Sequence, residues 1–359
     1  MTEAFRRDSI ATGLSGGLGM SVGPVDTPLG AFLATVGLPA IARDCAVVVN
    51  DLRDWAANVP GADTRRFRAL GLTAAVHLPI LSPEERALTA RLNGWIYAFD
   101  DLVDGTRDGR LPDAMLEPLV RRCKAVLANR PPGPRVANRE GIVAALREIV
   151  RDVSAPAPPD ALGDFWRASF DKMLDGIVRE RHLLAKIAMG EPAPSPAAHL
   201  ETARYSIGAP HYLATSFILH HRAGDTTLPA RLPTLIALAL AAADVARLSN
   251  DLHTWVREER EGVFNTVRAA DAAIARLAPT LPEAARRVDA VRAIERLLGT
   301  RCAQVAGLLA TTPAPHPDAE AGIGRLVDLI PALYATADFH EFDDGQREFP
   351  APGRLGGER

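Results

Sequence analysis

The chain has 359 residues, of which 47% are hydrophobic, 24% charged and 5% aromatic, and its formal net charge is -3. This length allows one large domain or two ordinary ones, and the balance of apolar and charged residues excludes a disordered chain. The slight negative charge provides no general electrostatic footprint for nucleic acid. We therefore expect a globular protein with a substantial core and no nucleic-acid partner.

The cysteines and the apolar runs indicate the compartment. Cys45, Cys123 and Cys302 lie far apart and lack the spacing of a metal site or a disulfide framework, which is typical of a reducing environment. No run reaches the ~18 consecutive apolar residues of a membrane helix. The N-terminus lacks the apolar segment of a signal peptide. We expect a cytoplasmic protein that has no membrane partner.

From about residue 30 onward the pattern is helical, because alanine, leucine, arginine and glutamate dominate and apolar residues recur at intervals of three and four. Alternating β-branched runs bounded by hairpin turns are absent from the sequence. Proline clusters separate segments of helical length, and we expect helices over 84–104, 113–129, 138–152, 160–189, 197–221 and 232–260. The sequence predicts a single all-α domain over 26–345, between flexible tails at 1–25 and 346–359.

An aspartate-rich string ends the segment 84–104. On a helix Asp100 and Asp104 share a face, whereas Asp101 lies about 100° further round. Carboxylates that face one way at the C-terminal end of a helix repel each other and oppose the helix dipole, so they favour a compensating cation. Mg²⁺ with its preference for oxygen ligands fits this need. A solvated helix end before Gly105 explains the same string equally well.

A second polar stripe follows, and its Asn250 comes 150 residues after Asp100. Asn250, Thr254 and Glu258 recur at every fourth position, so their oxygens stay within a stripe of about 80° on a helix. Such oxygens suit one hard metal ion. An ordinary polar stripe is the alternative, but asparagine and threonine are mediocre helix formers. Because the preceding segment is apolar enough to be buried, we favour a metal site.

Together the two motifs resemble those of class I terpene synthases, which carry a DDxxD motif and then, at a similar separation, an N-D-x-x-S/T-x-x-x-E motif. The likeness extends in length and helical texture from about residue 30 to 345. It implies a class I terpenoid helical bundle around a deep apolar cavity, a prenyl diphosphate substrate and three Mg²⁺ ions. The candidate metal ligands are Asp100, Asp101, Asp104, Asn250, Thr254 and Glu258.

The resemblance also assigns residues to the diphosphate. Arg204 matches the arginine with which bacterial members sense diphosphate, since it lies 46 residues before Asn250 and four before Gly208. In that pattern Ile207 is a linker and Gly208 is the effector at a helix break. Arg257 matches the basic residue that holds diphosphate beside the final glutamate. The implied catalytic residues are Arg204, Ile207, Gly208 and Asp100, and the implied diphosphate-binding residues are Arg204, Arg257 and Asn250.

One element of the family pattern is missing. Many members have an Arg-Tyr pair near the C-terminus, where this chain reads YATADFH from Tyr334 to His340. Tyr334 and His340 are candidates to replace the pair. The alternative is that Arg204, Arg257 and the metal ions hold the diphosphate without it.

The implied reaction breaks an allylic carbon–oxygen bond and leaves a carbocation that water would quench. Aromatic rings stabilise such a cation by roughly 0.5–2 kcal/mol each. The aromatic residues in or beside the motifs are Trp95, Tyr97, Phe99 and Trp255. Residues two apart on a helix diverge by about 200°, so we expect at least one of these rings, but not all of them, to line the cavity.

The run from Arg257 to Gly262, together with Asn265, resembles bacterial labdane-related diterpene synthases. Such enzymes take a bicyclic diphosphate such as copalyl diphosphate from a separate class II cyclase, whose DxDD motif this chain lacks. The expected function is a diterpene cyclase, and the alternative is a sesquiterpene cyclase acting on farnesyl diphosphate. A homodimer and an upstream class II cyclase are left open as partners.

Two other classes of protein share the helical pattern. Prenyl chain elongation needs a second aspartate-rich motif in place of Asn250 to Glu258, and Asp343-Asp344 comes too late and lacks the third aspartate. A non-catalytic helical scaffold has no need of complete ligand stripes at both motifs. Both classes are disfavoured.

Overall fold

The computed structural model describes residues 27–104, 111–134, 136, 139–312 and 318–336. These residues form thirteen α-helices and one 3₁₀ helix (Thr64–Arg66) and contain no β-strand, which confirms the all-α prediction. The α-helices are α1 (Pro28–Thr35), α2 (Leu38–Ala56), α3 (Phe67–His77), α4 (Pro83–Asp104), α5 (Asp113–Leu127), α6 (Glu140–Val153), α7 (Asp160–Ala188), α8 (Pro196–Ser206), α9 (Ala209–Arg222), α10 (Leu228–Glu261), α11 (Thr266–Leu277), α12 (Glu283–Thr311) and α13 (Asp318–Tyr334). The predicted tails at 1–25 and 346–359 lie outside the described residues.

Proline sets several of these boundaries. Pro196 is the first residue of α8, where its missing amide hydrogen costs nothing, and Ser195 before it accepts a hydrogen bond from the Ala198 amide. The predicted segment 197–221 is divided into α8 and α9. The division falls at Ile207 and Gly208, and the φ angle of Gly208 is 80°. The break is at the position where the family resemblance implied one.

The two motif helices occupy central positions in the bundle. Helix α4 packs against α2, α3, α6 and α9, and α10 packs against α8, α9, α11, α12 and α13. One large apolar core includes the fully buried rings of Trp95, Phe99 and Phe170. Burying a large apolar side chain stabilises a fold by roughly 1.5–3 kcal/mol, and both motifs lie on helices that contribute side chains to this core.

Helix α10 is long and apolar enough, by length and composition, to cross a membrane, although the sequence contains no uninterrupted apolar run of that length. Two thirds (67%) of its most apolar 18-residue window is buried by the rest of the protein. A helix that is apolar on all sides is also typical of the core of a large domain. The packing identifies α10 as a core helix.

Candidate active site

The second polar stripe lies on one face of α10, and hydrogen bonds link its members. Thr254 Oγ1 lies 2.8 Å from Glu258 Oε1 and 2.9 Å from the carbonyl oxygen of Asn250. Asn265, the N-cap of α11, donates from Nδ2 to Glu258 Oε2 over 2.9 Å. The structure therefore brings Asn250, Thr254 and Glu258 together, and it adds Asn265 to them.

The charge on Glu258 is poorly compensated. Burial, reinforced by the nearby carboxylate of Asp251, raises the pKa of Glu258 above its usual range, although Arg247 and two hydrogen bonds oppose the shift. Such a carboxylate gains from a cation placed beside it. The amide oxygen of Asn250, the hydroxyl of Thr254 and the carboxylate are hard oxygen donors of the kind that Mg²⁺ takes. The residues present thus fit the metal implied by the resemblance.

Acidic side chains alone do not form this site. Across the residues that the structure describes, no three His, Cys, Asp or Glu side chains converge in a way that could hold a metal ion. The stripe of Asn250, Thr254 and Glu258 offers one carboxylate beside an amide oxygen and a hydroxyl oxygen.

A buried ion-pair network adjoins the stripe. Arg247 Nε lies 2.8 Å from Asp251 Oδ1, and Arg247 Nη1 lies 3.4 Å from Glu180 on α7. Asp251 is fully buried and also accepts the amide of Thr266 over 2.7 Å. Buried charges are tolerated when they are paired and hydrogen-bonded in this way. Asp251, the aspartate of the Asn-Asp motif, therefore anchors α10 to α7 and α11.

The aspartates at the end of α4 have different surroundings. Asp101 is buried, and its Oδ1 lies 2.8 Å from Arg66 Nη2. Asp100 instead lines a cavity of about 60 Å³ with Ile177, Glu180, Arg181, Glu261, Gly262 and Val263. The side chain of Asp104 lies outside the described residues. Asp100 thus lines a cavity beside the end of α10, whereas the carboxylate of Asp101 forms an ion pair with Arg66.

Arg204 and Arg257, the two arginines that the resemblance assigns to diphosphate, have different partners. Arg204 Nε lies 2.9 Å from Asp244 Oδ1, and Arg301 of α12 lies 3.1 Å from Asp244 Oδ2. Asp244 comes seven residues before Asp251, so the two share a face of α10. Arg204 therefore contacts the side of α10 that carries Asp251 and Glu258, about 120° from Asn250. Arg257 is half-exposed and lies 3.5 Å from Glu261 on the same helix.

The break between α8 and α9 packs against the first motif helix. A Cβ added to Gly208 would lie 2.8 Å from Ile96 Cδ1, and Gly208 has a positive φ. Glycine is required there for both reasons. Ile207 caps α8 and donates its amide to the carbonyl of Ala203. Because Ile96 lies one turn before Asp100, the structure brings Gly208 next to the aspartate-rich helix.

The four predicted cavity aromatics lie in three environments. Trp95 donates from Nε1 to the carbonyl of Ile142 over 2.7 Å and stacks on Phe99 at 5.2 Å between ring centroids. Tyr97, on another face of α4, lies under the guanidinium of Arg66 at 4.5 Å. Trp255 packs on a small separate cluster formed by Leu200, Leu248, Val267, Ala270, Ala290 and Ile294. Trp95 and Phe99 share the main core.

An aromatic group on α7 and α9 was not singled out in the sequence. The ring centroids of Phe170 and His211 are 4.5 Å apart, and those of Trp95 and Phe170 are 5.5 Å apart. Trp166 lies 5.2 Å from His211 and donates from Nε1 to Thr215. No local pattern indicates this group, because its members come from helices far apart in the chain.

Tyr334, one candidate for the missing Arg-Tyr pair, lies at the stripe. Its hydroxyl accepts a hydrogen bond of 3.1 Å from Asn250 Nδ2. Because the amide nitrogen is engaged with Tyr334, the hydrogen-bond pattern orients the amide of Asn250. The other candidate, His340, lies outside the described residues. Helix α13 therefore contributes a side chain to the second motif.

The fold and the site define a class I terpene synthase, and comparison with known families agrees. The model for terpene synthase family 2, C-terminal metal binding, matches residues 91–296, which contain both motifs and Arg204. Since the match covers more than half of the chain, this protein belongs to that family. No curated protein matches the chain by sequence.

Solved structures share the fold at low sequence identity. Linalool/nerolidol synthase from Streptomyces clavuligerus is 18% identical with a TM-score of 0.53, over 83% of this chain and 95% of that one. 2-Methylisoborneol synthase from Streptomyces coelicolor A3(2) is 17% identical with a TM-score of 0.59, over 88% of this chain and 92% of that one. The structure of that enzyme in complex with Mg²⁺ and 2-fluoroneryl diphosphate is 15% identical with a TM-score of 0.60, over 83% of this chain and 91% of that one.

Proposed function

We propose that this terpene cyclase ionises an allylic prenyl diphosphate and cyclises or rearranges the resulting carbocation. The observation that carries the proposal is the hydrogen-bonded set of Asn250, Thr254 and Glu258, whose oxygens suit Mg²⁺. Mg²⁺, in three ions by family resemblance, supplies positive charge that stabilises the diphosphate leaving group. Asp100, with Asp104 after it on the same face, is proposed as the second set of ligands.

The neighbours of these residues have supporting roles in the proposal. Asp101 forms a buried ion pair with Arg66, so we assign it the role of orienting the end of α4. Gly208 and Ile207 keep the α8–α9 break against α4, where a backbone carbonyl can approach the substrate. Tyr334 orients Asn250.

Arg204 and Arg257 are proposed to bind the diphosphate oxygens. Arg257 is half-exposed, and its ion pair with Glu261 lies on the same helix. Arg204 is paired with Asp244, so diphosphate must compete with that carboxylate for its guanidinium. The bidentate geometry of arginine suits both partners. Binding of substrate and release of Asp244 are therefore expected to be coupled.

Protection of the carbocation is assigned to the aromatic core. Trp95 and Phe99 on α4 and Phe170 on α7 are fully buried next to one another. Buried rings exclude water and offer an electron-rich face to a cation without being nucleophilic. We propose that this group forms part of the wall against which the carbocation rearranges.

For the substrate we propose a C20 diphosphate of the copalyl type, supplied by a separate class II cyclase. Support comes from the likeness of the run Arg257 to Gly262, with Asn265, to labdane-related diterpene synthases. Asn265 also holds Glu258 in the structure, so this part of the likeness includes a site contact. Farnesyl diphosphate is the second candidate. A structure of linalool/nerolidol synthase that shares the fold holds 2-fluorogeranyl diphosphate, an acyclic C10 analogue, which favours an acyclic substrate but not a particular chain length.

A substrate panel tests the proposal. The purified protein is incubated with Mg²⁺ and with geranyl, farnesyl, geranylgeranyl or copalyl diphosphate, and the extracts are analysed by gas chromatography and mass spectrometry. We expect a Mg²⁺-dependent diterpene from copalyl diphosphate, and a product from farnesyl diphosphate alone would favour the second candidate. The Asn250→Ala variant and a chelator are the controls. No terpene from any of the four substrates would overturn the cyclase proposal.

We further propose that the enzyme is cytoplasmic and acts as a homodimer. The core position of α10 supports a protein that needs no membrane, and the homodimer rests on the family resemblance alone. Light scattering coupled to size-exclusion chromatography measures the molar mass, for which a monomer mass of 38.4 kDa at all concentrations would contradict the dimer.

A further inference from the structure

Two consecutive residues of α7, Glu180 and Arg181, contact the two motif helices. Glu180 lies 3.4 Å from Arg247 on α10. Arg181 donates from Nη1 to the carbonyl oxygen of Val103 in the last turn of α4. Neighbouring side chains on a helix diverge by about 100°, so the two residues leave α7 in different directions. Each of the motif helices is thus tied to the same turn of α7.

Arg181 holds the end of the aspartate-rich helix. Its side chain is only 4% exposed, and besides Val103 it binds the carbonyl of Leu111 over 2.6 Å and Asp113 over 3.0 Å. A cation at the C-terminal end of a helix satisfies its last carbonyls and complements its dipole. This guanidinium therefore fixes the end of α4 relative to the start of α5. Val103, its partner on α4, lies three residues after Asp100.

Glu180 contacts the helix of the second motif, α10, through Arg247. Its partner Arg247 lies three residues before Asn250 and is also paired with Asp251 at 2.8 Å. Because Asp251 accepts the amide of Thr266, the pair connects α7 with both α10 and α11. The motif stripe is therefore anchored through a chain of buried charges that begins on α7.

The same two residues line the cavity that Asp100 lines, next to Glu261, Gly262 and Val263 at the end of α10. We propose that Glu180 and Arg181 are positioning residues that set the separation between Asp100 and the stripe of Asn250, Thr254 and Glu258. This inference rests on the proposed function, in which both sets of residues bind Mg²⁺. Lysine cannot replace arginine here, because a single ammonium group does not reach two carbonyls and a carboxylate in the geometry of a planar fork.

The test compares Arg181→Lys with Arg179→Lys, a change of the same kind at an exposed position of the same helix. Binding of inorganic diphosphate is measured by calorimetry over a range of Mg²⁺ concentrations, and Tm is measured without Mg²⁺. We expect Arg181→Lys to raise the half-saturating Mg²⁺ concentration roughly tenfold or more, the usual effect of changing a group that orients metal ligands. Arg179→Lys should match the wild type.

Glu180→Gln provides a second variant, with Glu148→Gln on exposed α6 surface as its control. Because Arg247 keeps Asp251 as a partner, we expect Glu180→Gln to raise the half-saturating Mg²⁺ concentration by less than Arg181→Lys does. This variant decides the matter if Arg181→Lys does not fold. Unchanged Mg²⁺ dependence in the folded variants, or a fall in Tm without a change in Mg²⁺ dependence, overturns the inference. If the wild type itself binds no diphosphate with Mg²⁺, the proposed function fails instead.

Discussion

The ends of α4 and α10 hold their candidate ligands by different means. On α10 the ligands contact one another at intervals of four residues, through Thr254 and Glu258, and Asn265 completes the set from seven residues away. On α4 the carboxylate of Asp101 is paired with Arg66, and Arg181 binds the carbonyl oxygen of Val103 in the last turn. The ligands on α10 thus contact one another as well as residues of other helices, whereas the contacts at the end of α4 come from distant segments.

This difference predicts different effects for substitutions in the two motifs. A stripe that is internally hydrogen-bonded keeps its geometry as long as its helix persists, so substitutions there should affect chemistry more than folding. An aspartate paired with a buried arginine is part of the fold, because removing it leaves an uncompensated charge in the interior. Adjacent aspartates in one motif are therefore expected to have different functions.

The largest effect is expected from Asn250→Ala. The change removes the amide oxygen proposed to bind the metal and the hydrogen bond to Tyr334, while alanine favours the helix. We expect product formation to fall roughly 100-fold or more, with unchanged far-ultraviolet circular dichroism. Tyr334→Phe, which keeps the amide but loses its partner, should cost less. Near-normal turnover of Asn250→Ala would show that α10 does not carry the metal site.

A comparison of Asp101→Asn with Asp100→Asn separates the two functions on α4. Asp101→Asn removes the carboxylate that lies 2.8 Å from the buried guanidinium of Arg66, so the free energy of unfolding should fall, by as much as about 3–5 kcal/mol. Asp100→Asn, at the edge of the cavity, should reduce turnover and lower the free energy of unfolding less than Asp101→Asn does, because Asp101 is the more deeply buried of the two. If both variants have the same stability, the two aspartates do not differ as the structure indicates.

Gly208→Ala tests the close approach of the α8–α9 break to α4. A methyl group there would press on Ile96 Cδ1 at 2.8 Å in a left-handed conformation. Gly190 is the matched control, since its φ is 96° and no atom lies within 4 Å of an added Cβ. We expect Gly190→Ala to cost about 1–2 kcal/mol of strain and Gly208→Ala about 1–3 kcal/mol more. Equal losses in thermal unfolding would argue against tight packing at Gly208.

The smallest effect concerns Asp244 on α10 and the dependence of stability on pH. Burial raises the pKa of Asp244 from 3.8 to about 6, against the opposing influence of Arg204 and Arg301. The folded state therefore binds the proton more tightly than the unfolded state, and the contribution of Asp244 to stability falls as pH rises from about 4 to 6. Relative to Asp244→Asn, the wild type should lose on the order of 1 kcal/mol over this range, after allowance for solvent screening.

Unfolding in urea at several pH values measures that difference. Asp225→Asn, which removes another carboxylate paired with an arginine, Arg231, is the control for a general effect of charge. A gap between wild type and Asp244→Asn that widens in favour of the wild type with rising pH would contradict the prediction.

Much of the fold was predictable because helices are encoded locally. Apolar residues at intervals of three and four placed α4, α7 and α10 within a few residues of their observed ends, and the proline clusters marked the turns. The split of 197–221 was visible only through the family resemblance, because Gly208 alone does not distinguish a break from a tolerated helical glycine.

The sequence by itself determined the all-α fold and the set Asn250, Thr254 and Glu258, because residues four apart on a helix meet whatever surrounds them. Only the tertiary structure decided the partners of Asp101, Arg204 and Arg181. Those contacts join segments 35 to 78 residues apart, and no local pattern indicates which cation reaches which carboxylate. The same limit explains the aromatics beside the motifs, which divide between the main core and a smaller cluster according to the helices that cover them.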